Sequence, residues 1–368
     1  MEEKGLTWLE AFYDLIYAAA ISETMSLLIY EEEGLIPLEN LLKFVLIFIP
    51  IWWAWVGQSL FINRFGKDSV SQRLFMIIQM AFVILMTASL SVHFDRYYAP
   101  FLIGYLGIRL LVAVQHLWVK KRNNIKDTDA AKYLGYGFLV GIVVSLASIF
   151  FDSWMRYFVL YLGIFIDMLI PVFGRKFLFK TPIDTSHLLE RFGLFTIILF
   201  GESIISIIAD LHLEKGEWTA IAFALVSFVI IISLWWQYFD NLEQKIDKNM
   251  QSTGQSIIYG HLFIYMSLSI IASAIQLVFL HDIRYWFVVL LVFLATGIYF
   301  LSTTLVFQKY KFKEHRLNKN HLSIFLGILA IFITLDILMM VPEIIIFIQA
   351  AIFFAIYAWA TTRSKQQT

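Results

Sequence analysis

Apolar runs of about 20 residues recur from one end of this 368-residue chain to the other. No other feature narrows its possible folds as much. An α-helix rises 1.5 Å per residue, so ~20 apolar residues match the ~30 Å hydrocarbon core of a bilayer. Reading the runs against their charged breaks gives twelve candidate helices, near 8–30, 37–61, 71–93, 98–118, 132–151, 154–174, 187–209, 217–239, 256–280, 284–307, 321–340 and 343–361. The longest polar connections, 119–131, 175–186, 240–255 and 308–320, are too short to be soluble domains. Barrel strands would alternate polar and apolar faces, whereas helices satisfy their own backbone in lipid. The expected fold is all-α: a polytopic integral membrane protein with about twelve transmembrane helices.

Charge agrees with this. Only 15% of residues are charged and 60% are hydrophobic, against about a quarter charged in soluble domains. Formal net charge is zero, so no electrostatic case exists for nucleic acid. There is no cysteine, which excludes disulfides, thiolate nucleophiles, iron–sulfur clusters and Cys-ligated metals. The opening MEEKGLTWLEAFYDL lacks a basic segment followed by an unbroken apolar core, so the first span is expected to stay in the protein.

Basic residues set the expected direction. Twenty-two Lys and Arg fall on the side that holds the N-terminus, and five, Lys43, Arg96, Arg156, Lys215 and Arg284, fall on the other. The positive-inside rule then puts both termini in the cytoplasm.

An internal repeat is expected as well. WLEAF (8–12) resembles LLERF (188–192), aligning Glu10 with Glu190, and both helices carry a second acid further on, Glu23 and Glu202. Trp52-Trp53 aligns with Trp235-Trp236, and SQRLFMIIQM (71–80) aligns loosely with GQSIIYGHLF (254–263). The offset stays near 180–183. Two parallel six-helix halves, 1–180 and 181–368, are expected, although hydrophobic helices also match by chance.

Charged residues inside spans are costly, by about 2.5–3.5 kcal/mol each on insertion scales. At the cytoplasmic level lie Glu10 and Asp14, four apart on one face, with His187, Glu190, Arg191 and Asp167. Tyr259, His261, Tyr238, Asp240, Asn63 and Arg64 share that level. Glu202, Glu23 and Asp336 lie deeper, and Arg109 sits near the midplane, where pairing with one of these deeper acids is its cheapest explanation. Bland readings stand beside these: acids near helix starts suit the helix dipole, Glu190–Arg191 could be a structural ion pair, and Ser203 suits local hydrogen bonding.

Metal chemistry has little footing. His187-x-x-Glu190 has the spacing of di-iron bundles but lacks a second copy, and a mixed His261, Glu190 and Asp14 site is a remote alternative. No P-loop, dinucleotide fingerprint, G-x-S-x-G or H-E-x-x-H pattern is present. No cofactor, metal or catalytic residue is expected. GFLVG (137–141) reads as a small-residue helix contact, and IWWAW (51–55) reads as lipid-facing or belt aromatics.

The segments HLLERFGLFTIILFGES (187–203), WLEAFYDLIYAAA (8–20), WWAWVGQSLFINRF (52–65) with Asp68, SLWWQYFD (233–240) and YGHL (259–262) resemble the bacterial low temperature requirement protein A family, LtrA. They run through most of the chain in order. Two departures are modest: Gly66-Lys67-Asp68 stands where the family often has two acids, and Tyr13 stands where it usually has Phe. The resemblance implies a multi-spanning plasma-membrane protein linked by name to growth in the cold, and it implies no reaction.

Three functions follow from these readings. The leading one is a secondary transporter or ion/proton pathway, with Glu190 and Glu202 titrating, Glu10, Asp14 and Asp167 lining an inner vestibule, and Arg109 as counter-ion. The second is an intramembrane enzyme acting on lipid or a lipid-linked substrate. The third is a sensor or structural protein of the membrane. Expected partners are membrane lipids and an unidentified small solute, ion or lipid ligand.

Overall fold

The computed structural model describes residues 5–90, 94–119, 125–210, 218–247, 250, 252–280, 283–312 and 316–362. Lys4, Lys120, Lys121, Arg122, Lys215, Lys248, Lys313, Arg363 and Lys365, counted above for orientation, lie outside the described residues. The chain is helical: α1 (Trp8–Ile29), α2 (Leu38–Phe65), α3 (Val70–Thr87), α4 (Tyr98–Leu117), α5 (Ile125–Ala147), α6 (Ser153–Phe173), the single turn α7 (Arg175–Leu178), α8 (Thr185–Asp210), α9 (Trp218–Gln244), α10 (Gln255–Leu280), α11 (Tyr285–Tyr310), α12 (Lys319–Met339) and α13 (Glu343–Thr362). Among the described residues there is no strand, only isolated bridges. Eleven helices among the described residues are long and apolar enough to cross a membrane. The remaining long helix, α8, has 26 residues. The chain is a multi-pass membrane protein.

It divides into two compact units. The first holds residues 1–24, 46–191 and 249–255; the second holds 25–45, 192–248 and 256–368.

In the first unit α2 is the most deeply enclosed span. IWWAW is core rather than lipid-facing: Trp52, Trp53 and Trp55 are all buried, which overturns the belt reading for this segment. The aligned Trp235 and Trp236 of α9, in the second unit, are exposed. A hydropathy pattern cannot separate these cases, because a span packed on all sides and one facing lipid are equally apolar.

Pro50 lies inside α2. Without an N–H it leaves the carbonyl of Leu46, four residues back, without a helical partner. The Tyr161 hydroxyl of α6 donates to that carbonyl at 2.5 Å, supplying from a neighbouring span the bond that water cannot supply in lipid. The GFLVG segment does form a helix contact, between α5 and α6. A Cβ at Gly141 would stand 2.8 Å from the Asp167 Cβ and 2.9 Å from the Gly163 carbonyl oxygen. That close approach carries Asp167 into the interior of the unit.

The second unit is built around aromatic rings. Phe300, Phe325, Phe353 and Tyr357 pack mostly edge to face, with centroids 4.9–5.8 Å apart, the geometry ring quadrupoles favour. Asp336, at the end of α12, is buried and accepts a hydrogen bond from Gln349 at 2.9 Å.

Candidate functional site

Of the charged residues that should be expensive in lipid, Glu10, Asp14, His187, Arg191, Arg109 and Asp167 gather in the first unit, in two groups on either side of α2. Helix α1 starts where the Thr7 hydroxyl accepts the Glu10 N–H at 3.3 Å, an N-terminal cap. From there Glu10, Asp14 and Tyr17, with Tyr13, follow the 3–4 spacing of one helix face, and all four are buried. His187 and Arg191, four apart at the start of α8, form the matching face.

In the first group, His187 Nε2 lies 3.2 Å from Glu10 Oε2, and Arg191 Nη2 lies 3.0 Å from Asp14 Oδ1. A second Arg191 nitrogen, Nη1, stands 3.9 Å from Glu10. The Trp55 indole donates to the same Asp14 oxygen at 2.6 Å. Asn63 fixes the histidine. Its Oδ1 accepts the Asp184 N–H at 3.0 Å, which turns its Nδ2 toward His187 Nδ1 at 3.2 Å. With Nδ1 accepting, a neutral His187 carries its proton on Nε2, toward Glu10.

The second group joins α4 to α6. Arg109 Nε lies 2.7 Å from Asp167 Oδ2, with both side chains shielded from solvent. The Trp53 indole donates to the same oxygen at 3.1 Å. The guanidinium carbon lies 4.5 Å from the Phe138 ring centroid and 5.5 Å from that of Trp53, a cation–π enclosure. Arg109 fits only because residue 57 is glycine: a Cβ there would stand 2.1 Å from Arg109 Nη1. Arg109 Nη1 and Nη2, Asp167 Oδ1 and the Tyr105 hydroxyl are buried and have no hydrogen-bond partner among the described residues. Asp14 Oδ2 and Arg191 Nη1 are in the same condition.

A chain of amides runs out from the first group. The Tyr13 hydroxyl donates to Gln79 at 2.7 Å, Gln79 donates to Gln58 at 2.9 Å, and Gln115 donates to the same Gln58 oxygen at 2.9 Å. The Tyr17 hydroxyl lies 3.2 Å from that of Tyr13. A cavity of about 700 Å³ opens on Glu10, with Thr7, Ile62, Lys67, Asp68 and Arg73 among its walls. At its rim Arg73 donates to both Asp68 oxygens, and these bonds hold the Asp68 carboxyl below its ordinary range.

Several sequence expectations change. Arg109 pairs with Asp167 rather than with Glu23, Glu202 or Asp336, because α6 packs close enough to bring Asp167 to it. Arg191 turns to Asp14 and Glu10, not to its neighbour Glu190; consecutive residues on a helix point about 100° apart. Glu190 is exposed and accepts a bond from Ser186 at 3.2 Å, so His187 and Glu190 do not share a ligand face. Glu23 is exposed, and Glu202 is half-buried in the second unit. Arg64 donates to the Thr181 and Thr253 carbonyls. The second unit holds His261, bonded to Tyr238 at 2.8 Å and to the Ile257 carbonyl at 2.7 Å, the half-buried Tyr259, and Asp240 paired with Lys245. Gln58, Gln79, Gln115, Trp53 and Trp55 were missed. The glutamines had a usable signal, as uncharged polar side chains near the middle of apolar runs.

Fold and site together define a multi-pass helical membrane protein that keeps buried ion pairs among its spans. The chain belongs to the bacterial low temperature requirement A protein family, LtrA, whose model matches residues 6–359. It is 24% identical over 284 residues to an uncharacterized protein of Rhizobium meliloti (strain 1021), across 72% of this chain and 66% of that relative. The chain therefore spans just under two thirds of the relative's length. No solved structure matches.

Proposed function

We propose that the chain is a secondary transporter or proton/ion pathway of the bacterial plasma membrane, with both termini cytoplasmic, and that Glu10, Asp14 and His187 form its protonation site. One observation carries this reading: two buried carboxylates, Glu10 and Asp14, face a single guanidinium, Arg191. Unbalanced charge is strongly disfavoured in a low-dielectric interior. Neutrality then needs one further proton, and Glu10, Asp14 and the His187 imidazole are its three places within one cluster. The Arg109–Asp167 pair is already neutral and serves as a fixed counter-ion pair. The cavity on Glu10 gives the cluster a route outward, and the Tyr13–Gln79–Gln58–Gln115 chain leads from it toward the end of α4. Glu190 and Glu202 enter only as further acids along α8.

The test uses purified protein in liposomes that enclose a pH-sensitive dye, with an imposed membrane potential. Wild type is expected to pass protons or a proton-coupled ion, with Asp14→Asn and Glu10→Gln lowering the rate at least about tenfold. Wild-type vesicles as tight as empty ones, across protons, ions and candidate solutes, would sink the proposal. So would unchanged flux in both variants.

A further inference from the structure

A second cavity, of about 650 Å³, lies where the ends of α2 and α4 meet the start of α3. Its walls differ in character. One side is aromatic, with Phe75 and Trp118 edge to face at 5.7 Å among its rings. The other carries Arg64 and Lys67, and among the described residues no carboxylate lines it. Arg64 is held by neutral carbonyls, Thr181 at 3.2 Å and Thr253 at 3.0 Å. These fix the guanidinium without cancelling its charge. The adjacent acid, Asp68, is engaged by Arg73 at 2.6 Å.

The start of α3 adds to this charge. Ser69 caps the helix by accepting the Gln72 N–H at 3.3 Å, and the Gln72 side chain accepts the Lys67 N–H at 2.7 Å. The first-turn N–H groups of Val70 and Ser71 are ones that a helix cannot satisfy from within. A helix start also carries partial positive charge. Two cations, a helix start and an aromatic wall thus enclose one space at the boundary end of three spans.

We infer that this cavity binds the phosphate headgroup of an anionic phospholipid, with the phosphate against Arg64, Lys67 and the first turn of α3, and the glycerol and upper acyl carbons along Phe75 and Trp118. Basic pockets between spans recognise lipid headgroups in this way, and helix starts take phosphate. The aromatic wall selects an amphiphile over a free anion. The site shares Lys67 with the wall of the cavity on Glu10, but its test reads binding, not transport.

Delipidated full-length protein in detergent is titrated with phosphatidylglycerol carrying brominated acyl chains, and tryptophan quenching is read. Saturable quenching is expected, with much of its amplitude lost in Trp118→Phe. Lys67→Gln and Arg64→Gln should each weaken binding about fivefold, in line with one cation near an anionic lipid. Ser71→Asp suits a helix start by charge, so the fold is kept, yet it should abolish binding by repulsion. Brominated phosphatidylcholine should bind at least about fivefold more weakly. Equal binding of the two lipids would overturn the inference, as would indifference to both Lys67→Gln and Ser71→Asp. Inorganic phosphate that binds with no lipid counterpart would overturn it too.

Discussion

Trp53 and Trp55 stand two residues apart on α2 and give their indole N–H groups to different carboxylates, Asp167 at 3.1 Å and Asp14 at 2.6 Å. Two residues turn a helix by about 200°, so the rings leave from opposite sides. Helix α2 is thus the partition between the two ion-paired groups of the first unit, and it holds one acid on each side.

Each indole should therefore contribute separately. Trp55→Phe and Trp53→Phe are each expected to cost about 1.5–3 kcal/mol, the range for hydrogen bonds to charged groups. Trp236→Phe, at an exposed ring, should stay within about 0.5 kcal/mol. Denaturant titration of the purified protein in detergent separates these outcomes. Equal losses at all three positions would contradict the assignment.

The Arg109–Asp167 pair makes a stronger demand. Removing one partner leaves a buried charge alone, so Arg109→Gln and Asp167→Asn should each destabilise the protein by about 3–5 kcal/mol. The double variant should lose clearly less than the sum. Additive losses in a double-mutant cycle would show that the two residues do not act as a pair.

Gly57→Ala tests the notch that admits Arg109. The added methyl must displace the guanidinium, and overpacking of this kind costs about 1–3 kcal/mol. In an Arg109→Met background, where no guanidinium is left to displace, Gly57→Ala should cost clearly less than it does in the wild type. Circular dichroism melts of the single and double variants would show it.

A pH dependence follows from the second unit. Lys311, just past the end of α11, is buried; that burial, with the neighbouring Lys245 ammonium, pushes its amine from 10.5 down to about 7, against the pull of Asp240. Between about pH 7 and 10.5 the unfolded chain holds one more proton than the folded one. Stability contributed by this group therefore rises with pH across that window and is flat on either side of it. Lys311→Met should remove the rise, and unfolding measured at pH 6, 8 and 10 would detect the change in slope.

The spans were legible because apolar length is a local property, and eleven of the helices meet it directly. Glu10, Asp14, His187 and Arg191 were legible at one depth because all lie near helix starts, and Glu10 and Asp14 on one face by their i, i+4 spacing, but that level also held Glu190, which is exposed. Partner choice was not legible. Depth along a helix placed Arg109 with Glu23, Glu202 or Asp336, but azimuth decides contact, and azimuth depends on neighbours such as the Gly141–Gly163 seam that draws Asp167 inward. The tryptophans were misread for a related reason, since enclosure on all sides leaves no trace in hydropathy. The amide chain carries no formal charge to mark it, although glutamines buried in spans need partners as firmly as carboxylates do.

The bond between the Tyr161 hydroxyl and the Leu46 carbonyl has an evolutionary consequence. It is needed only because residue 50 is proline. In a relative with an ordinary residue at that place, the carbonyl regains its own helical donor and the hydroxyl loses its task. The two positions, 111 apart in sequence, should then vary together: tyrosine kept where the imino acid is kept, phenylalanine tolerated where it is not. Covariation between them would register the packing of α2 against α6 in sequences alone.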